Sequence, residues 1–158
     1  MTVSLPDFLN NMKTKLIYKI LSHNVKETES AGALLGALLK KNDFVAMYGD
    51  LGVGKTAFVR GVASVVAPEA DVCSPTYAIC NEYEGKSCLL CHFDVYRIGS
   101  DEDLYACGFY DYSNCISIVE WSENIPFALP EQYWRVTIAK VEGGDENLRT
   151  VTIEEVIA

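Results

Sequence analysis

The chain has 158 residues, 22 of them acidic and 13 basic, for a formal net charge of -9, and this length accommodates one hydrophobic core but no second catalytic domain. A field of that sign repels phosphate backbones, and because Lys and Arg form no run, nucleic acid is expected to be handled by a partner rather than by this surface. No apolar stretch reaches the roughly 18 residues of a membrane-spanning helix, and residues 1–11 show neither a basic leader nor a continuous apolar segment, so the expected location is cytoplasmic with no membrane contact.

In chain order, residues 1–15 read as a peripheral N-terminal extension and residues 16–158 as a single domain. Leu16 to Leu21 is a short first strand. Asn24 with Glu27 three residues later has the form of a capping box opening a helix, and Leu34, Leu35, Leu38 and Leu39 place apolar side chains along one face of it. Phe44 to Tyr48 is an apolar run suited to a buried parallel strand. Ala57 to Val66 continues as a helix of low polarity that a break near Pro68 ends. Tyr77 to Tyr83 and Ser87 to Asp94 are strand-like around the turn Glu84-Gly85-Lys86, and Asp101 to Tyr112 is helical or irregular. Cys115 to Val119 is a further apolar strand ending in Glu120-Trp121, and Trp134 to Val141 with Leu148 to Ile153 forms a late hairpin around residues 143–147. Strands alternating with helices, then a hairpin, predict a three-layer α/β domain with a mixed, partly parallel central sheet.

Six cysteines (73, 80, 88, 91, 107 and 115) form an even set, and Cys88-Leu89-Leu90-Cys91-His92 matches the haem-attachment pattern and half of a zinc or redox site. No second closely spaced pair completes a tetrahedral zinc set, and without an export signal a disulfide scaffold is not expected. The plainer reading is that these small thiols fill a buried strand.

The chemistry concentrates in Gly49-Asp50-Leu51-Gly52-Val53-Gly54-Lys55-Thr56, a complete Walker A pattern between an apolar strand and a helix. Its glycines let the backbone curl with N–H groups turned toward phosphate oxygens, and the helix starting near Lys55 adds its positive end. Asp50 and Val53 occupy variable slots. Lys55 is suited to neutralise β and γ phosphates and Thr56 to ligate Mg²⁺. A second acid must come from a neighbouring strand end, where Asp94 and Glu120 both qualify. His92 shares a strand face with Asp94 and is either a partner of the site or a structural histidine. Ser74-Pro75-Thr76 lies where a phosphate-sensing loop would sit, although a plain loop-to-strand transition explains the same residues.

Four segments in order, the Walker element, Ser74-Pro75-Thr76-Tyr77, His92-Phe93-Asp94-Val95-Tyr96-Arg97 and Glu120-Trp121, make the chain resemble the bacterial ATPase component of tRNA threonylcarbamoyladenosine biosynthesis, the TsaE-like proteins, from about Leu16 to Ile153. The resemblance implies a P-loop nucleotide hydrolase fold and a protein that binds ATP or ADP with Mg²⁺. It also implies two partners, a threonylcarbamoyl-transferase subunit and its inactive paralogue, which modify adenosine 37 of tRNA, so that this chain meets tRNA only through the complex. It assigns Lys55 and Thr56 their phosphate and metal roles and makes Glu120 the second Mg²⁺ ligand. Asp94 becomes the catalytic or water-organising carboxylate, Ser74 and Thr76 parts of a switch-like loop, and Trp121 an aromatic near the nucleotide, where a core tryptophan is equally plausible. Adenine contacts are to be sought around Asn24 to Thr28. Tyr77 where Phe is usual, and Ala57 where a second Thr is common, are modest departures.

No arginine is placed as an obvious finger, since Arg60 lies in the P-loop helix, Arg97 in a loop and Arg149 late in the chain. Slow hydrolysis that partners stimulate is therefore expected. The alternatives are a nucleotide-gated binding module and a small-molecule kinase, the latter lacking an Arg-rich lid.

Overall fold

The computed structural model of the chain describes residues 12–75 and 79–158. Seven strands, β1 (Lys13–Ser22), β2 (Phe44–Tyr48), β3 (Cys80–Tyr83), β4 (Leu89–Asp94), β5 (Cys115–Glu120), β6 (Gln132–Lys140) and β7 (Arg149–Ile157), form one sheet in the order β1-β7-β6-β2-β5-β4-β3. The four central strands, β6, β2, β5 and β4, run parallel, and the flanking pairs β1–β7, β6–β7 and β3–β4 are antiparallel. The mixed α/β architecture expected from the pattern is the one observed. The late hairpin is β6–β7, with Lys140 opposite Arg149. β1 begins at Lys13, three residues ahead of the boundary suggested by sequence, and pairs along its length with β7.

Alternation along β2 sorts the two faces. Val45 and Met47 join the core beneath helices α1 (Val25–Gly36) and α2 (Lys55–Val66), whereas Ala46 packs with Tyr133 and Val156 on the opposite side. That opposite side is covered by the short helix α3 (Asp101–Ala106) and 3₁₀ turns. There Phe93 meets Phe109 and Tyr112 edge-on, each at 5.0 Å between ring centroids.

Helix α1 departs from the leucine face drawn from spacing. Leu35 is fully buried, but Leu34 and Leu38 are exposed, and the face turned inward is Thr28, Ala31, Gly32, Leu35 and Gly36. Small residues win because α1 lies directly on α2. A Cβ on Gly32 would come within 2.1 Å of the Phe58 carbonyl oxygen, and one on Gly61 within 1.8 Å of that of Glu29. The cap forms as expected on one side, Asn24 Oδ1 accepting from the Glu27 N–H at 2.9 Å. The reciprocal bond is displaced by one residue: the Glu27 carboxylate accepts from the His23 N–H at 2.7 Å and contacts the His23 ring, and these bonds hold its pKa below the usual glutamate value.

The cysteine pattern dissolves in the sheet. Cys88 packs with the core under α1 and α2, Cys91 with the cluster on the other face, and all six cysteines are free thiols. A pair split by a sheet cannot close on one ion, and among the described residues no group of three or more potential ligands could hold a metal. Among those residues, too, no helix is long and apolar enough to cross a membrane.

Because the α1–α2 contact leaves no room for a methyl group, Gly61→Ala is expected to destabilise the fold by about 3 kcal/mol, read from urea unfolding. Gly99→Ala, whose nearest neighbour would be 3.7 Å away, is expected to be near neutral.

Candidate functional site

The loop between β2 and α2 carries the glycine-rich segment, and its backbone explains the glycines. Gly49 has φ 151° and lies so close to β6 that a Cβ would stand 2.5 Å from the Ile138 carbonyl oxygen. Gly54 sits at φ 107° as the N-cap of α2, with no side chain satisfying the first-turn N–H groups. The first turn of a twelve-residue helix therefore presents donors and a positive dipole end at the loop. Within the loop Val53 is buried in the core and Leu51 is 86% exposed. The Val53 carbonyl accepts a hydrogen bond from Arg149 Nε at 3.2 Å.

Lys55 is only 7% exposed. Its ammonium donates to the Gly49 carbonyl at 2.6 Å and stands 3.7 Å from the centre of the Trp121 ring. Burial lowers its pKa, and the charges of Glu120, Glu123, Asp94 and Asp50 oppose that shift. Trp121 follows β5 in a left-handed conformation, φ 63°, and its ring packs at 4.8 Å against Tyr96 from the segment after β4. Two bonds from Asn124 Nδ2, to the carbonyls of Val95 at 3.2 Å and Tyr96 at 3.0 Å, fasten that segment to the turn after β5.

Asp94 and Glu120 are direct neighbours across the parallel β4–β5 pair, and Glu120 is in turn level with Met47 of β2. The register thus brings both acids to the strand ends from which the glycine loop departs. The Asp94 carboxylate accepts from the Tyr96 N–H at 2.9 Å. Burial raises its pKa and the adjacent Glu120 charge adds to that, outweighing the Tyr96 N–H and the positive charge of Lys55. Glu120 is 3% exposed and its Oε2 lies 3.1 Å from Nε2 of His92, which is completely buried.

A cavity of about 670 Å³ gathers Gly52, Gly54, Lys55, Thr56, Ser74, Asp94, Glu120 and Trp121, together with Leu51 of the same loop. Gly49 and Val53 sit behind it, against β6 and the core, and Asp50 is exposed at the loop's rim. Thr76 and Tyr77 lie outside the described residues. Three participants were not singled out by sequence reasoning: Tyr96 and Asn124, which brace Trp121 and the β4 end, and Arg149, which reaches the back of the glycine loop from β7. Tyr96 lies within one of the four diagnostic segments, whereas nothing near Arg149 in the chain signals its position. The volume suits a small organic ligand. A buried cation, a helix N-terminus, a hydroxyl and two carboxylates form a donor set that fits a polyphosphate with a hard divalent cation.

These features define a mixed seven-stranded α/β domain with its glycine loop at the carboxyl end of a central parallel strand. Residues 22–149 match the family described as Threonylcarbamoyl adenosine biosynthesis protein TsaE, and the chain belongs to that family. It is 30% identical over 132 residues, 82% of this chain and 97% of the relative, to the tRNA threonylcarbamoyladenosine biosynthesis protein TsaE of Treponema pallidum. It is 33% identical over 129 residues to the protein of the same name from Bacillus subtilis, covering 82% and 81% of the two chains. The crystal structure of Bacillus subtilis YdiB superposes with a TM-score of 0.69 at 30% identity, covering 90% of this chain and 86% of that one.

The raised pKa of Asp94 sets a sign for stability. The folded state binds this proton more tightly than the unfolded chain, so the contribution is fully present below the ordinary aspartate value of 3.8 and is lost as pH rises through the higher folded value. Asp94→Asn, which keeps an acceptor for the Tyr96 N–H, is expected to melt at a higher temperature than the parent at pH 7. That difference should shrink as pH falls below the ordinary aspartate range, as thermal melts across pH will show.

Proposed function

We propose that the chain binds ATP with Mg²⁺ and hydrolyses it slowly, and that this nucleotide cycle supports threonylcarbamoylation of adenosine 37 in tRNA. The pathway rests on membership of the TsaE family and on the names of its relatives. The nucleotide chemistry rests on one observation: Lys55, Thr56, Asp94 and Glu120 line a single cavity against the glycine loop. The partners are a threonylcarbamoyl-transferase subunit and its inactive paralogue. The net charge of -9 favours contact with tRNA through them rather than directly.

In this reading the loop and the first turn of α2 hold the phosphates by backbone N–H groups. Lys55 exchanges its Gly49 and Trp121 contacts for the β and γ phosphates and neutralises charge there. Thr56 and Glu120 hold the cation, and Mg²⁺ supplies charge neutralisation and orientation of the phosphates when bound. Asp94 orients the attacking water, and its raised pKa makes it a better acceptor for the water's proton than an ordinary aspartate. Water adds to the γ phosphorus as the bond to the β–γ bridging oxygen breaks, releasing ADP and phosphate. Arg149 is occupied with backbone carbonyls and Arg60 with Glu29 at 2.9 Å, whereas Arg97 lines the cavity itself; slow turnover in isolation and stimulation by a partner are what phosphate release tests.

The clasp of Lys55 by Gly49 and Trp121 also favours a second reading, a nucleotide-gated module whose bound state, rather than turnover, is what its partners recognise.

Phosphate release from Mg-ATP, measured with the protein alone and with both partners, separates the two. The ATPase reading expects partner-stimulated release that falls roughly 100-fold or more in Lys55→Ala. Asp94→Asn should lose turnover while keeping nucleotide binding by calorimetry. Intact binding with no stimulation would favour the gated module.

A further inference from the structure

We propose that His92 is a positioning residue that holds the Glu120 carboxylate in place for a divalent cation, an inference that rests on the metal role proposed above for Glu120. His92 lies mid-strand in β4, with Ile118 of β5 and Asn81 of β3 as its lateral neighbours. Alternation puts it on the face of Leu90, Ile116 and Ile118, the apolar core beneath α2. The ring is fully buried, and the polar contact it makes is Nε2 to Glu120 Oε2 at 3.1 Å. Its other nitrogen, Nδ1, is the one buried side-chain nitrogen or oxygen among the described residues that has no hydrogen-bond partner.

That orphan atom carries the argument. A leucine or phenylalanine would fill this apolar slot without stranding a polar nitrogen, so the imidazole carries a burial cost at Nδ1 that its bond to Glu120 offsets. What it provides in exchange is Nε2. An ionised carboxylate only accepts hydrogen bonds, so Nε2 carries a proton and donates, which in the neutral ring leaves Nδ1 as the bare nitrogen. The donated bond ties down Oε2 from inside the core, while Glu120 itself lines the cavity. A carboxylate fixed by one oxygen loses rotational freedom and presents the other at constant orientation, the way outer hydrogen bonds tune carboxylate ligands of metal sites. The opposite tautomer would require a protonated Glu120, a neutral acid unsuited to a hard cation, and would bury an orphan N–H instead.

The wild-type chain offers a direct test, because it contains two histidines, His23 and His92, and His23→Gln assigns the second. Long-range proton–nitrogen correlation spectra of the ¹⁵N-histidine-labelled, nucleotide-free protein are expected to show His92 as the Nε2–H tautomer; an Nδ1–H tautomer would overturn the proposal. In a second measurement, Mn²⁺ affinity of the ADP-bound protein is followed by electron paramagnetic resonance. His92→Phe is expected to weaken it roughly 10- to 100-fold with ADP affinity in chelator unchanged, and His92→Gln, which keeps a donor, to recover most of the loss. If Glu120→Gln weakens Mn²⁺ and His92→Phe does not, the positioning role fails while the metal site stands. If Glu120→Gln leaves Mn²⁺ affinity unchanged, the metal reading of Glu120 fails and the role of His92 falls with it.

Discussion

The parallel pairing of β2, β5 and β4 is the constraint on which the site depends. Parallel strands carry the same chain direction, so their carboxyl ends arrive on one side of the sheet, and the register sets Met47, Glu120 and Asp94 at one level. The glycine loop leaves from the end of β2, and the two acids therefore face it without any long loop to deliver them. A register slip of one residue would turn both carboxylates through the sheet to the opposite face. The fully buried Val45, Ala46 and Met47 on β2, and Ile118 and Val119 on β5, make such a slip costly.

The rest of the fold holds that edge still. Helix α2 begins at Lys55 inside the functional loop, so its placement decides where the first-turn N–H groups point, and the glycine contacts with α1 lock it down at backbone distance. On the other side, β6 presses the Ile138 carbonyl against Gly49, and Arg149 of β7 ties down the Val53 carbonyl. The hairpin that closes the sheet thereby supports the back of the loop, although it is remote in sequence from every motif. Trp121, braced by Tyr96, completes the front by lying over Lys55.

Electrostatically the centre runs against the surface. An acidic chain places one buried cation between a carbonyl and an aromatic face, with two acids adjacent. Desolvation pushes Lys55 down and Asp94 up, each toward its neutral form. Perturbed groups of this kind cluster where a charged ligand binds.

Much of this was legible in the chain itself. The order of strands and helices followed from apolar runs and their punctuation, because β2, β4 and β5 are buried on both faces and read as continuous hydrophobic stretches. Lys55, Thr56, Asp94 and Glu120 could be named because each stands at a strand or helix end, a position that local pattern marks. What could not be read were contacts between segments distant in sequence. The glycine face of α1 was obscured by its leucines, since spacing shows which residues share a face but not which face a neighbouring helix covers. Cys88 and Cys91 match half of a ligand set in spacing, but spacing does not show that the sheet puts them on opposite sides. His92 remained ambiguous until its ring was found against Glu120, 28 residues away, and Arg149, set aside as a finger, gained a place only when β7 carried it to the loop. The sequence by itself determined the fold class and the place of the glycine loop between a strand and a helix, because both are written in local pattern. The tertiary structure alone decided which carboxylate is buried against a histidine, which arginine braces the loop and what lies over the lysine, because those depend on strand order and register.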